Sequence, residues 1–539
     1  MVTRISKSSS LNQTNHTNGP SSLSANLAET AQHAAQKVQK DIARAVKGTL
    51  GLSGERMSRV DTAWLRMDSS SNLMMIVGVW MLKPGISHAN LCERIENSLL
   101  QFRRFKQRVV EDTAGATWVD DDRFDLSQHV VIEKLPKHAK GQHQTALQDR
   151  IAELAMVPLN RKRPLWQFHL VENYDGGSCL IMRIHHCIAD GIALISVCMS
   201  MMDGGKLPIL RKAKVEKRSG LDGAEDWVNN TLIRPLTQMA ITALDKTGDG
   251  VAGSFDLLGD PKHGMEQGLA TTAHLANLAY KLAGDAAGLL LMQDDSPTRL
   301  KGQPGQTKKV AWCQPIPLVE VKAVGKALNC SINDVLLSCV AGAISAYLSD
   351  FGDEVKGKDI RAMVPVNLRP IEEAYKLGNH FGLAPVVLPI GLDNPIERVY
   401  EVRRRMKLLK GSMQPLLAFA TLAVAGTLVK SAQEAVLNMF SKKTTAVMTN
   451  VPGPAQKLQM CGSTLEQTLF WVPQSGSVGL GVSILSYGGG VQFGIISDST
   501  LCPNPQKIID EFETVKDDFD DNEFAKLSLV TLMLPWGNE

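Results

Sequence analysis

The run His185-His186-Cys187-Ile188-Ala189-Asp190-Gly191 constrains this chain most, because it sits between two apolar segments. Residues 179–184 (CLIMRI) have the length and composition of a buried strand, and IALISVCMSMM after Gly191 reads as a helix. Two imidazoles and a carboxylate therefore fall at a strand-to-helix loop, where a rigid scaffold can hold functional groups. A buried strand followed by a buried helix calls for sheets covered by helices.

These residue types support one chemistry together. Imidazole titrates near neutrality and accepts a proton at cellular pH. A hydroxyl attacks an acyl carbonyl poorly until a base takes its proton. A carboxylate four residues on can orient a ring or fix the loop through an ion pair, and glycine beside it leaves room for substrate. Paired histidines also occur in metal sites, but no further His, Cys or carboxylate cluster completes one, so no metal is expected.

With 539 residues the chain is too long for one ordinary core. The reading divides it into an extension over 1–56, a first domain over 57–204 carrying the His-His run, a helical crossover over 205–308, and a second domain over 309–539. Residues 1–22 are rich in Ser, Asn and Thr and are expected to be disordered. Over 27–46 apolar residues, mostly alanine, share one helical face, either as a lipid-surface anchor or as a helix packed on its own protein. Strands are expected at 72–82, 179–184, 359–365, 384–389, 444–449, 478–487 and 491–496, the last two joined through Gly488-Gly489-Gly490. Helices are expected at 88–102, 142–155 and 331–348, the last opened by Ser331 and Asp334 in the manner of a capping box. The fold class is mixed α/β.

Fifty-eight basic against 55 acidic residues leave a net charge of +3, so nucleic acid is not called for. Nine cysteines with no CxxC pair read as reduced thiols in a cytoplasmic setting. The first 22 residues lack the apolar core of a secretory signal. The segment 415–429 (PLLAFATLAVAGTLV) is shorter than a membrane span and is read as a buried helix, with an interfacial position as the alternative. Twenty-one methionines suit an adaptable apolar site or simply fill core gaps.

At the His-His run the chain resembles the CoA-dependent acyltransferase superfamily, which includes chloramphenicol acetyltransferase, and within it the bacterial wax ester synthase/diacylglycerol acyltransferase family. Arg163-Pro164-Leu165-Trp166 is similar to that family's PLW motif, and Asn333-Asp334-Val335-Leu336-Leu337 to its NDVVLA motif. Residues 364–369 (VPVNLR), Leu377-Gly378-Asn379 and Asn450-Val451-Pro452-Gly453-Pro454 continue the resemblance in order over roughly 57–535. Asn160 stands where the family often has Asp.

The resemblance implies two similar mixed-sheet domains with an active-site tunnel at their interface. It implies that His186 is the general base, that His185 supports the loop, that Asp190 pairs with an arginine, and that Gly191 keeps the tunnel open. Pro164, Leu165 and Trp166 either line the acyl channel or make a stabilising turn. Asn333 and Asp334 either help hold an oxyanion or simply cap their helix. The expected substrates are acyl-CoA, as a co-substrate and not a resident cofactor, and diacylglycerol or a long-chain alcohol. The expected setting is cytoplasmic, at the periphery of the inner membrane or of lipid inclusions, through 27–46 or the basic run Arg161-Lys162-Arg163. Two alternatives are a transferase using carrier-protein thioesters in polyketide or complex-lipid synthesis, and a non-catalytic lipid-droplet protein.

Overall fold

The computed structural model describes residues 54–112, 115–136, 143–205, 288, 291–369, 376–410, 412, 414–426, 428 and 430–521. The readings for 1–22, for 27–46 and for most of the crossover lie outside the described residues.

In chain order the strands are β1 (Glu55–Arg56), β2 (Met75–Lys83), β3 (Gln107–Asp112), β4 (Gly115–Asp120), β5 (Val130–Ile132), β6 (Trp166–Tyr174), β7 (Gly177–His185), β8 (Lys308–Trp312), β9 (Ile316–Pro317), β10 (Ile360–Asn367), β11 (Phe381–Leu388), β12 (Ala446–Pro452), β13 (Gln459–Met460), β14 (Ser463–Trp471), β15 (Leu480–Tyr487) and β16 (Gly490–Asp498). The helices are α1 (Arg59–Arg66), α2 (His88–Asn97), α3 (His143–Leu154), α4 (Gly191–Ser200), α5 (Leu318–Ala327), α6 (Ile332–Asp350), α7 (Pro395–Lys410), α8 (Gln414–Ala425), α9 (Lys430–Ser441) and α10 (Pro505–Asp521).

Two mixed sheets organise these elements. The first has the order β13-β14-β2-β7-β6-β5, with β5 and β6 parallel and its other neighbours antiparallel. The second has the order β11-β10-β12-β15-β16-β8, with β12 parallel to both β10 and β15. The first sheet does not respect the division expected at residue 309, because β13 and β14, from residues 459–471, pair with each other and β14 pairs with β2. Apolar patterning marks a segment as a strand but does not name its partner across nearly 400 residues.

Both faces of the first sheet are buried: every residue of β7 is buried, Arg183 among them with its guanidinium donating to Gln167 Oε1. Along β2, Met75, Val77 and Val79 face a core shared with α3, Trp312 and Trp471. Ile76, Trp80 and Leu82 face the opposite core, shared with Leu194 and Val197 of α4. The second sheet packs against α6, α7 and α10 through residues such as Tyr347, Ile344, Val402 and Phe512. Each large apolar side chain fully buried in these layers contributes about 1.5–3 kcal/mol.

Local signals set several boundaries. Ser331 accepts from the Asp334 N–H at 3.2 Å while Asp334 accepts from the Ser331 N–H at 2.9 Å, a complete capping box at the start of α6. Tyr487 pairs with Gly490 around Gly488 and Gly489, both at positive φ (59° and 84°), as a two-residue hairpin turn demands. Of the apolar segment expected at 415–429, the part up to Ala425 lies in α8, whose Phe419 and Ala423 are buried. A Cβ on Gly426, just past α8, would fall 1.9 Å from the Arg59 carbonyl oxygen, so glycine there lets α8 close on α1.

Candidate active site

The end of β7 sends the two histidines in opposite directions, as alternate strand residues must go. The His185 N–H donates to the Leu165 carbonyl at 2.9 Å, and the His186 N–H to the Met74 carbonyl at 2.7 Å. His185 Nδ1 accepts from the Cys187 N–H at 3.1 Å, so its proton sits on Nε2, which lies 3.4 Å from Asp68. Asp68 also accepts from the Met74 N–H at 2.7 Å and from Arg161 at 3.0 Å. Burial pushes the Asp68 carboxyl up, but the hydrogen bonds from His185, Met74 and Arg161 outweigh it and hold the group at about 2. His185 therefore ties the loop to Asp68 and is absent from the lining of the large cavity described next.

His186 lines a cavity of about 320 Å³ whose walls come from both sheets and from α8 and α9. Asn379 fixes the ring. Its Nδ2 donates to Asp61 Oδ1 and to the His186 carbonyl, both at 2.7 Å, which leaves Oδ1 to accept from His186 Nδ1–H at 2.9 Å. The amide orientation and the imidazole tautomer are assigned from this network. Nε2 is then the unprotonated nitrogen. The Asn379 N–H also donates to Asp61 Oδ1, at 3.0 Å. Asp61 and Trp64, one turn apart on α1, reach the same ring: Asp61 through Asn379, and Trp64 by stacking at 4.2 Å between centroids. Phe381 approaches at 5.5 Å with a 40° tilt. Burial is the main cause that lowers His186 to about 4, so its ring is neutral at physiological pH. Burial likewise raises Asp61.

Asp190 joins the loop to the strand that follows Asn379. Its Oδ1 caps α4 by accepting from the Ala193 N–H at 2.9 Å, and Oδ2 accepts from the His380 N–H at 2.9 Å. Arg369 is the arginine that pairs with it, Nη2 to Oδ2 at 3.2 Å, and the same nitrogen donates to the Gly378 carbonyl at 2.8 Å. Gly191 and Ile192, the first residues of α4, line the His186 cavity, and a Cβ on Gly191 would meet no described atom within 4 Å.

The other residues singled out in the sequence lie apart from the imidazole. Leu165 and Trp166 are buried at the start of β6, where the Trp166 indole donates to the Phe105 carbonyl at 2.8 Å and stacks on His129. With Pro164 they hold β6 beside β7, and none of the three lines the large cavity. Asp334 belongs to the capping box, and Asn333 accepts from Asn450 Nδ2 at 3.1 Å. Neither lines the cavity, whereas Asn450, Val451 and Pro452 do. Arg161 is engaged by Asp68 and Glu111, Lys162 beside it is exposed, and Arg163 is half-buried.

Asp61, Trp64 and Asn379 were not assigned roles from sequence. Asn379 stands in the Leu377-Gly378-Asn379 motif, which marked its place but not its partner. Asp61 and Trp64 lie on an eight-residue helix with ordinary amphipathic spacing, and nothing in that spacing distinguishes them.

Comparison with known proteins adds a second line of observation. Residues 57–336 match the wax ester synthase/diacylglycerol acyltransferase catalytic domain, and residues 377–517 match the C-terminal domain of the same enzymes. A probable diacylglycerol O-acyltransferase of Mycobacterium tuberculosis is 26% identical over 403 residues, covering 73% of this chain and 80% of that protein. A second, putative diacylglycerol O-acyltransferase of M. tuberculosis is 27% identical over 478 residues, covering 85% and 98%. The wax ester synthase/diacylglycerol acyltransferase of Marinobacter aquaeolei VT8 has a similar fold, with a TM-score of 0.59 at 18% identity over 87% of this chain and 99% of that one. A trichothecene 15-O-acetyltransferase from Fusarium sporotrichioides shares the fold at a TM-score of 0.52 and 13% identity, over 86% and 95%.

Proposed function

The chain belongs to the wax ester synthase/diacylglycerol acyltransferase family, and on that footing we propose that His186 is the general base with which it acylates a hydroxyl. It is an O-acyltransferase that moves an acyl group from acyl-CoA to diacylglycerol or a long-chain alcohol, making storage lipid.

In the proposed reaction the acceptor hydroxyl approaches Nε2 of His186. Nε2 takes the proton as the alcohol oxygen bonds to the thioester carbonyl carbon. The tetrahedral oxyanion collapses, the carbon–sulfur bond breaks, and the imidazolium returns its proton to the leaving CoA sulfur. No acyl-enzyme forms, and the ring ends neutral. The observation that carries this reading is the 2.9 Å hydrogen bond from His186 Nδ1–H to Asn379, because it leaves the opposite nitrogen bare on a ring that lines the cavity. Trp64 stacked on the ring supports the transient imidazolium. The helix start at Gly191 and Ile192 supplies a partial positive charge to the same cavity, which favours an oxyanion.

The test is purified protein with palmitoyl-CoA and either dioleoylglycerol or hexadecanol, read by thiol release and lipid chromatography, with His186→Ala alongside. Thiol release coupled to ester in the wild type and its loss in the variant support the assignment. Both products partition into lipid, so the reading also places the enzyme at the cytoplasmic periphery of a membrane or lipid inclusion.

A further inference from the structure

Asp61 is a buried carboxyl on α1 that takes no step in the reaction above. Its helix is anchored from two sides. Ser58 caps α1 by accepting from the Asp61 N–H at 3.0 Å, and Gln433 of α9 donates to the Ala63 carbonyl at 2.9 Å. A Cβ on Gly378 would lie 3.6 Å from Asp61 Oδ2, so the turn that leads into β11 runs directly against the carboxyl.

The contacts of Asp61 form an ordered chain. A side-chain amide can turn over and exchange its oxygen for its nitrogen, but a backbone N–H cannot. The Asn379 N–H donates to Asp61 Oδ1 at 3.0 Å and so requires an oxygen at that position. With an oxygen there, the end of the Asn379 side chain that meets it must be Nδ2, at 2.7 Å. The other end, Oδ1, is thereby turned to His186 Nδ1 at 2.9 Å and calls for a proton on that nitrogen. Turned over, the amide would aim an N–H at Nδ1, move the imidazole proton to Nε2 and leave the ring without its basic nitrogen. The His186 carbonyl accepts the second Nδ2 hydrogen at 2.7 Å and favours the same orientation. Asp61 Oδ1 accepts whether or not Oδ2 carries a proton, so the chain needs the oxygen and not the charge.

We infer that Asp61 is a positioning residue that fixes the tautomer of His186, acting through Asn379. The inference rests on the base-catalysis reading above. The three residues come from separate parts of the fold: Asp61 from α1, His186 from just past β7 in the first sheet, and Asn379 from the turn into β11 in the second. The bare Nε2 therefore depends on all three meeting.

The test compares the wild type with Asp61→Leu, which removes the oxygen at similar size, and Asp61→Asn, which keeps a carbonyl oxygen. Each protein is isotopically labelled at its imidazole nitrogens, and the His186 signals are identified by their absence from labelled His186→Gln. At neutral pH the wild type should show a neutral His186 with its proton on Nδ1. Asp61→Leu should show both tautomers. Its kcat with palmitoyl-CoA and hexadecanol should fall about tenfold or more per folded molecule, with KM within about twofold of the wild type. Asp61→Asn should recover the wild-type tautomer and most of the lost kcat. If Asp61 served stability alone, Asp61→Leu would lower the melting temperature and leave the tautomer and kcat per folded molecule unchanged, which would overturn the inference. An effect on KM alone would also overturn it, as would a wild-type ring protonated on Nε2, a result that needs no variant to fold. A tautomer shift in Asp61→Leu beside a wild type that forms no ester would support the role of Asp61 and overturn the catalytic reading, which keeps the two distinguishable.

Discussion

The His186 imidazole lies flat on the Trp64 indole, with centroids 4.2 Å apart and planes 11° apart. In the resting protein this is a stack of two neutral rings, and the proposed proton transfer would make one of them a cation. A cation over a desolvated indole gains about 0.5–2 kcal/mol. Trp64→Leu should therefore lower kcat roughly two- to thirtyfold with little change in KM. Steady-state kinetics with palmitoyl-CoA checks this, and an effect on KM alone would assign Trp64 to substrate binding instead.

The acid side of the pH profile follows from burial of His186. Burial holds the group at about 4, below its ordinary 6.5. The acid limb of kcat/KM, which reports the free enzyme, should fall with a midpoint near 4 in brief assays. A midpoint near 6.5 would contradict the burial argument. The sign for stability is also fixed. The folded value lies below the unfolded one, so between them the unfolded chain binds more protons. Stability is therefore lost as pH falls from about 6.5 towards 4, by up to about 1.4 kcal/mol per pH unit. Denaturant titrations across this range should show that slope reduced in His186→Gln.

Asp190 contributes to structure more than to chemistry. Removing it uncaps α4, frees the His380 N–H and leaves the buried Arg369 guanidinium without its carboxylate. Asp190→Ala should lose at least about 3–5 kcal/mol of stability, the scale of a broken buried pair, to which the lost cap adds. The midpoint of guanidinium unfolding measures it, and activity should fall with the folded fraction. A variant of unchanged stability and no activity would require Asp190 to act in the reaction.

Ser331→Ala separates capping from catalysis at the start of α6. It breaks the capping box with Asp334 and should cost about 0.5–2 kcal/mol. Turnover per folded molecule should stay within about twofold, and the same holds for Asn333→Ala, because neither residue lines the cavity. A large loss of kcat in Asn333→Ala with stability intact would restore the oxyanion reading of that motif.

The strand-to-helix placement of the His-His run was legible because its flanks are mostly apolar segments of the right lengths, and β7 and α4 lie where those segments predict. The Ser331–Asp334 capping box and the Gly488–Gly489 turn were legible for the same reason: each depends on neighbours in sequence. What could not be read depends on long-range pairing. Asn379 stands 193 residues from His186 and 318 from Asp61, and only the folded chain brings their atoms within 3 Å. The partner of Asp190 was expected to be an arginine, but choosing Arg369 requires the approach of residues 378–380 to the loop. The placement of β14 against β2 had no local signal for the same reason.

The central claim is that His186 removes the proton from the acceptor hydroxyl. The most direct measurement is the turnover of purified His186→Ala with palmitoyl-CoA and dioleoylglycerol, beside its far-ultraviolet circular dichroism and melting curve. The account predicts a folded protein with ester synthesis reduced at least about 10²-fold, the lower scale for loss of a general base. A folded variant that makes ester at the wild-type rate would contradict it.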